Sequence, residues 1–491
     1  MDIEGDDRMK IHLLHTNDLH SSLENYMRVG HRLRALRADL TASKEVVWTF
    51  DIGDLIDRVR PETEASLGRV NAAMMRALSV DAWVFGNNEG LTLPSSVWGE
   101  LGNLANTRIL CANLQQLNGQ SFPFFDRALI LSQENVTIGV FGLTAAYPLA
   151  YQPLGVKAAP PFETAKEVVQ ELRGKGCSVV ICLSHLGLFD DRVLAQRVPG
   201  IDVILGGHTH HFMHEPEVVG HTYIFQAGKH GRAFGHVSLE WVSDEKRVGS
   251  VSVELVEVNE YEPLDRAMLA AYESWRSEID TVMGKQVAEI PERLEVRFRG
   301  ESAFANLLAD ALLANYDAHL SIMMSGALTA SLLPGRADQY HLLGACSTPT
   351  RPVLMNLTGQ QILSILEVGL QPEIQMKLGK GFGFRGAVIG HLAVAGAVIY
   401  TKELQDGQHV IEKVMLAGKE MNLEGVYRVA TCEYLYLTHT FPQFQCGTEV
   451  TFGAPMVREL LVNYIQQENV WEKANEIRYQ IDSTVDEEES Q

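Results

Sequence analysis

A chain of 491 residues, 46% hydrophobic and 21% charged, is longer than one hydrophobic core can serve, because cores stop growing at roughly 250–300 residues, and it implies two ordinary globular domains. A formal net charge of −21 repels nucleic-acid backbones and anionic membranes, so neither is expected as a partner. An anionic substrate then needs a local positive centre, which bound metal ions can supply.

The chain opens on an acidic segment, with no apolar run before a small-residue cleavage site. No stretch approaches the roughly 20 apolar residues of a membrane span. The six cysteines (Cys111, Cys177, Cys182, Cys346, Cys432, Cys446) show neither C-x-x-C nor a repeated spacing. Free thiols and a cytoplasmic location are the expectation, with a monomer as the default.

Five apolar runs of strand length follow in order: 10–15, 46–50, 82–85, 179–183 and 203–205. Helical patterns lie between several of them, at 61–78 and 161–176, the first opening on Pro61 and the second stopping at Gly176. Strands alternating with helices imply α/β layering. Residues 236–258 read as a β-hairpin closing a first domain, 1–260. A helix of about six turns is expected over 263–285, within a connector spanning 261–286. Residues 287–481 mix helix and strand, and 482–491 form an acidic tail.

Five segments place metal-competent residues just after apolar runs: "HTNDLHS", "DIGDLIDR", "GNNE", "LSHLG" and "GGHTHH". In Asp18-x-His20 and His208-x-His210 the spacing of two puts both side chains on one side of an extended backbone, so each pair can share one metal centre. Imidazole with carboxylate suits Mn²⁺, Zn²⁺, Fe²⁺ or Co²⁺ better than Ca²⁺.

In this order the motifs resemble those of the calcineurin-like metallophosphoesterases, and within them the two-domain bacterial 5'-nucleotidase, UDP-sugar hydrolase and 2',3'-cyclic phosphodiesterase family. D-x-H, G-D, G-N-H-E, H and G-H-x-H correspond to Asp18-x-His20, Gly53-Asp54, Gly86-Asn87-Asn88-Glu89, His185 and Gly207-His208-Thr209-His210. The resemblance implies a four-layer α/β sandwich followed by an α+β substrate domain. It also implies two divalent ions, one on Asp18, His20, Asp54 and His210 and the other on Asp54, Asn87, His185 and His208, with a metal-activated water attacking a nucleotide or related phosphate ester.

Segments 301–313, 325–335, 357–370 and 427–437 resemble landmarks of the family's C-terminal domain, which presents rings to the base and basic residues to the phosphate. Phe382, Phe384, Phe441 and Phe444 could supply the ring and Arg385 the charge. The pattern breaks at Asn88, which stands where the family has its catalytic histidine, and at Leu91, where the partner aspartate would be. Thr329 replaces a phosphate-binding arginine. Arg58 could reach the phosphate instead, or pair with Asp57 or Glu62; His211, His230 and Lys229 are further proton-donor candidates. Hydrolysis is the favoured expectation. The alternatives are a nucleotide- and metal-binding protein of attenuated activity, or a phosphodiesterase for small diesters or cyclic nucleotides.

Overall fold

The computed structural model describes residues 8–133, 136–242, 247–381, 383–403 and 409–481. The chain divides into two compact units, Met1–Ile279 and Asp280–Gln491. The acidic tail and Phe382 lie outside the described residues.

All five expected strands form, as Arg8–Thr16, Val46–Asp51, Ala82–Val84, Val179–His185 and Val203–Gly206. They belong to two sheets. The first three run parallel in a seven-stranded sheet, and the other two run parallel in a six-stranded one. Alternation along each strand explains why the sheets stack: Ile11 and Leu13 meet Ile181, Leu183, Val203 and Leu205 in a shared core. The outward residues take helices. Leu14, Trp83 and Phe85 pack with Tyr26, Val29 and Leu33 of the Leu23–Ala42 helix. Val180, Cys182 and Ile204 pack with Val168 and Leu172 of the Pro161–Gly174 helix. Each fully buried Ile, Leu or Val contributes about 1.5–3 kcal/mol, and the result is a helix–sheet–sheet–helix sandwich. The hairpin Ala233–Val242 with Arg247–Glu257 forms as expected and pairs beside Arg8–Thr16 at the sheet edge.

Two expected helices are broken. The 61–78 segment forms Pro61–Ser66 and Arg69–Leu78, because Leu67 and Gly68 turn left-handed, with φ of 48° and 80°. At Gly68 a Cβ would sit 2.6 Å from Ile56 Cδ1, so close packing against that side chain claims the turn. The 263–285 segment forms Arg266–Glu273 and Arg276–Met283. Between them Ser274 Oγ donates to the Ala271 carbonyl at 2.7 Å, and the Trp275 amide bonds Tyr272 at 3.0 Å in a tighter turn.

The second unit holds a five-stranded and a four-stranded sheet. Its Gly359–Leu370 helix starts with a capping box, Thr358 accepting from the Gln361 amide at 3.2 Å and the Gln361 side chain accepting from the Thr358 amide at 2.8 Å. All six cysteines are free. Among the described residues no helix is long and apolar enough to cross a membrane.

Candidate metal centre

The motifs sit just past the C-terminal ends of the parallel strands, where the loops after Arg8–Thr16 and Val46–Asp51 continue side by side. Asp18 N donates to Gly53 O at 2.9 Å, His20 N to Asp54 O at 2.8 Å and Ser21 N to Leu55 O at 2.9 Å. The price of this tight pairing is backbone strain. Asp18, His20, Ser21, Asp54, His208 and His210 all have positive φ, between 45° and 70°. Gly53, at φ 90°, leaves no space for a Cβ, which would press on the Gly86 nitrogen.

Neither pair is extended, as these φ values show. Asp18 and His20 still share one group as expected, whereas His208 and His210 fall in different groups, which corrects the expectation for that pair. Asp18, His20 and His210 form one group whose donor atoms lie within 4.8 Å of one another, and Asp54, His185 and His208 form a second. His20 Nε2 and His210 Nε2 face each other at 3.1 Å. Asp18 Oδ1 lies 3.3 Å from His210 Nε2 and 3.9 Å from the Nε2 atoms of both His20 and His185. The Asp54 oxygens divide, Oδ1 lying 3.3 Å from His185 Nε2 and Oδ2 lying 3.8 Å from His20 Nε2.

His185 and His208 are oriented from behind. His185 Nδ1 sits 2.7 Å from the Ile52 carbonyl, which fixes its proton there and turns Nε2 toward the carboxylates. Tyr147 OH lies 3.2 Å from His208 Nε2, leaving Nδ1 for the site. Burial opposes a charge on His185, yet Asp54 and Asp18 hold its pKa up at about 10. Burial pushes His208 down to about 4, reinforced by His185.

These residues fit a divalent cation. His185 Nε2 and Asn87 Oδ1 are buried and make no hydrogen bond, and the His20 and His210 ring nitrogens converge at 3.1 Å, where one cation can take both.

The other candidates are otherwise engaged. Asn88 turns its amide to His20 Nδ1 at 3.0 Å, beside Asp57 Oδ2 at 3.4 Å from the same nitrogen, and its backbone N–H donates to Asp54 Oδ1 at 2.8 Å. It therefore stands behind a histidine of the site, at the position where the family has its catalytic histidine. Arg58 is buried and spends its fork on Glu64, at 2.8 and 2.9 Å, and on the Thr92 carbonyl at 2.6 Å. The guanidinium fork therefore meets Glu64, one helical turn into Pro61–Ser66, squarely rather than standing free for a phosphate. Arg58→Ala is accordingly expected to destabilise the first unit by about 3 kcal/mol and leave KM unchanged; a raised KM at unchanged urea midpoint would show a substrate contact instead.

Phe441 and Phe444 are fully buried and pack edge-on at 6.3 Å, so both are core residues and neither offers a face to a base. Phe384 is 8% exposed and stacks on Tyr434 at 4.5 Å. Arg385 is exposed beside it, its amide donating to Thr348 Oγ1 at 3.2 Å. Thr329 donates to the Gly344 carbonyl at 2.6 Å. His211 is exposed and bonds Thr209 at 2.9 Å. His230 packs edge-on to His20 at 5.7 Å, its pKa pushed down to about 4 by burial and then by His20.

Sequence reading missed the residues that hold the loops. Glu89 is fully buried and accepts from the Asp54, Gly86 and Ile56 amides at 3.0, 2.8 and 2.8 Å. Burial, then the charge of Asp54, lift its pKa to about 8. Asp51 accepts from Thr16 Oγ1 at 2.6 Å and Gly53 N at 3.0 Å. Its signal in the sequence was its place at the end of the G-N-N-E motif, which says nothing of the amides it collects.

The sequence model of the calcineurin-like phosphoesterases matches residues 11–212, and that of the 5'-nucleotidase C-terminal domain matches 282–445. Over 457 residues the chain is 30% identical to YunD, an uncharacterised metallophosphoesterase of Bacillus subtilis (strain 168), covering 92% of this chain and 98% of that one. The chain belongs to the calcineurin-like metallophosphoesterases. This metallophosphoesterase is a hydrolase of phosphate esters that uses divalent metal ions, and its second unit is of the 5'-nucleotidase C-terminal type. It is also similar to the 5'-nucleotidase of Vibrio cholerae serotype O1, 24% identical over 87% of this chain and 84% of that one. Its fold is shared with the NAD nucleotidase of Haemophilus influenzae, with a TM-score of 0.67 and 16% identity over 96% of this chain and 99% of that one.

Proposed function

We propose that this phosphoesterase hydrolyses a phosphate monoester of a nucleotide on two divalent ions, Mn²⁺, Zn²⁺, Fe²⁺ or Co²⁺. Asp18, His20, Asp54 and His210 would hold one ion, and Asp54, Asn87, His185 and His208 the other. The observation that carries this reading is the split of Asp54, with one oxygen toward each histidine group. When bound, the ions supply Lewis-acid charge that activates water and stabilises the phosphoryl transition state. Around them Ile52 and Tyr147 orient the rings, and Asn88 with Asp57 fixes the far nitrogen of His20. The nucleotide is supported by the C-terminal domain match and by the likeness to the Vibrio cholerae 5'-nucleotidase.

Phosphate release from a panel of 5'-mononucleotides tests this. Release with Mn²⁺ or Co²⁺ that chelation abolishes is expected; nucleotide binding without product would sink the hydrolytic reading.

Asn88 also sets a leaving-group dependence. No imidazole occupies its position, so an alkoxide departs without that proton donor, a loss of roughly 10²–10⁴-fold in rate. An aryl phosphate, whose leaving group is a weak base, should escape most of this. Asn88→His is expected to accelerate the nucleotide and leave the aryl ester nearly unchanged. Equal effects on both substrates would place the residue's role outside proton transfer.

A further inference from the structure

The seven-stranded sheet carries a second cluster of histidines away from the metal centre. On the Arg8–Thr16 strand, His12 lies opposite Ser238 of the Ala233–Val242 strand, and His236 stands two residues before that serine. His12 Nδ1 and His236 Nε2 face each other at 2.9 Å. Ser238 Oγ completes a triangle, 2.9 Å from the first nitrogen and 3.3 Å from the second. His12 is 4% exposed.

The outer nitrogens lie close to carboxylates, although the angle at His12 Nε2 is not that of a hydrogen bond. His12 Nε2 lies 2.8 Å from Glu45 Oε2, and His236 Nδ1 lies 3.5 Å from Glu254 Oε2. A carboxylate behind an imidazole draws the ring proton to the outer nitrogen and raises the basicity of the inner one. With both ring protons on the outer nitrogens, two lone pairs point at each other, and the single Ser238 proton satisfies only one of them. Protonating His12 is a poor remedy, since burial lowers its pKa and His236 and Lys10 act in the same sense against Glu45.

We infer that His12 Nδ1, His236 Nε2 and Ser238 Oγ form a binding site for a late first-row divalent cation, with Zn²⁺ as the archetype, separate from the catalytic ions. Nitrogen donors exclude Mg²⁺ and Ca²⁺ as preferred occupants. Tetrahedral Zn²⁺ with Zn–N of about 2.05 Å sets neighbouring nitrogens about 3.3 Å apart, so the rings need open by only a few tenths of an ångström. Water would complete the coordination. The four residue steps from His12 to Thr16 span about 13 Å at 3.3 Å per residue, and Asp18 lies beyond them, so the ion does not share ligands with the reaction centre. It would tie the Arg8–Thr16 strand to the hairpin strand beside it.

The test compares the full chain with a His12→Gln/His236→Gln double variant, both stripped with chelator and dialysed against Zn²⁺. The parent is expected to retain one equivalent more than the variant, a difference that does not depend on how many ions the catalytic centre takes. Phosphate release with Mn²⁺ checks that the variant is folded and should be unchanged. Zinc-edge anomalous scattering from crystals of the parent supplies a second readout that needs no variant. A peak within about 2.1 Å of both facing nitrogens is expected. Equal zinc content, or no peak between the rings, would overturn the site and leave a hydrogen-bonded histidine pair.

Discussion

Asp54→Ala is expected to lower kcat by at least about 10³-fold, or roughly 4 kcal/mol of barrier, with any Mn²⁺, Zn²⁺, Fe²⁺ or Co²⁺ supplied. Three functions meet on this side chain. Its Oδ1 faces His185 at 3.3 Å, its Oδ2 faces His20 at 3.8 Å, and Oδ1 also accepts the Asn88 amide at 2.8 Å. Losing it uncouples the two histidine groups and frees the turn that carries Asn87 and Asn88. The measurement is kcat against metal concentration, with metal content by mass spectrometry. If saturating metal restored parental kcat, Asp54 would be a ligand of convenience and the shared-carboxylate reading would fail. A parallel loss of bound metal and of rate is the expected pattern.

The layers of the first unit were legible because each strand carries its own signature. Ile181 and Leu183 alternate with Val180 and Cys182, which is enough to predict two buried faces. Assignment of the runs to two sheets was not legible, since nothing local to 82–85 or 179–183 says which strand lies beside it. The broken helix at 67–68 was hidden for a similar reason. Its cause is Ile56, a residue distant in sequence that packs against Gly68.

The site shows the same division. The histidines and aspartates were found because few structural duties call for so many at strand ends. The spacing argument held for Asp18 and His20 and failed for His208 and His210, because φ values of 45° to 70° belong to loop packing that no residue pair announces. The partners that Arg58 and Asn88 take, Glu64 and His20, could not be read from the sequence because they are acquired only on folding. Phe441 and Phe444 show the reverse: rings that could have faced a base are absorbed by the core.

Glu89 is expected to matter nearly as much as any ligand, although it binds none of the ions proposed. Its carboxylate collects three backbone amides from two loops: Asp54 and Gly86 on Oε2, Ile56 on Oε1. Glu89→Ala leaves three buried donors without acceptors, each costing about 1–3 kcal/mol, and opens a cavity besides, so a loss of about 4 kcal/mol or more is expected for the first unit. Glu89→Gln is the finer probe. Its amide oxygen can still accept from Asp54 and Gly86, but its NH₂ opposes the Ile56 N–H, donor against donor, at a cost of about 1–3 kcal/mol. Urea unfolding followed by tryptophan fluorescence reads this unit, because five of the six tryptophans, Trp48, Trp83, Trp98, Trp241 and Trp275, belong to it. Activity should fall with stability in both variants, since the amide of Asp54 would no longer be anchored. A Glu89→Gln protein with the parental midpoint and lowered kcat would assign Glu89 to the chemistry rather than to the clamp, whereas a lowered midpoint in the order Ala below Gln below parent is what three bonds to one buried carboxylate require.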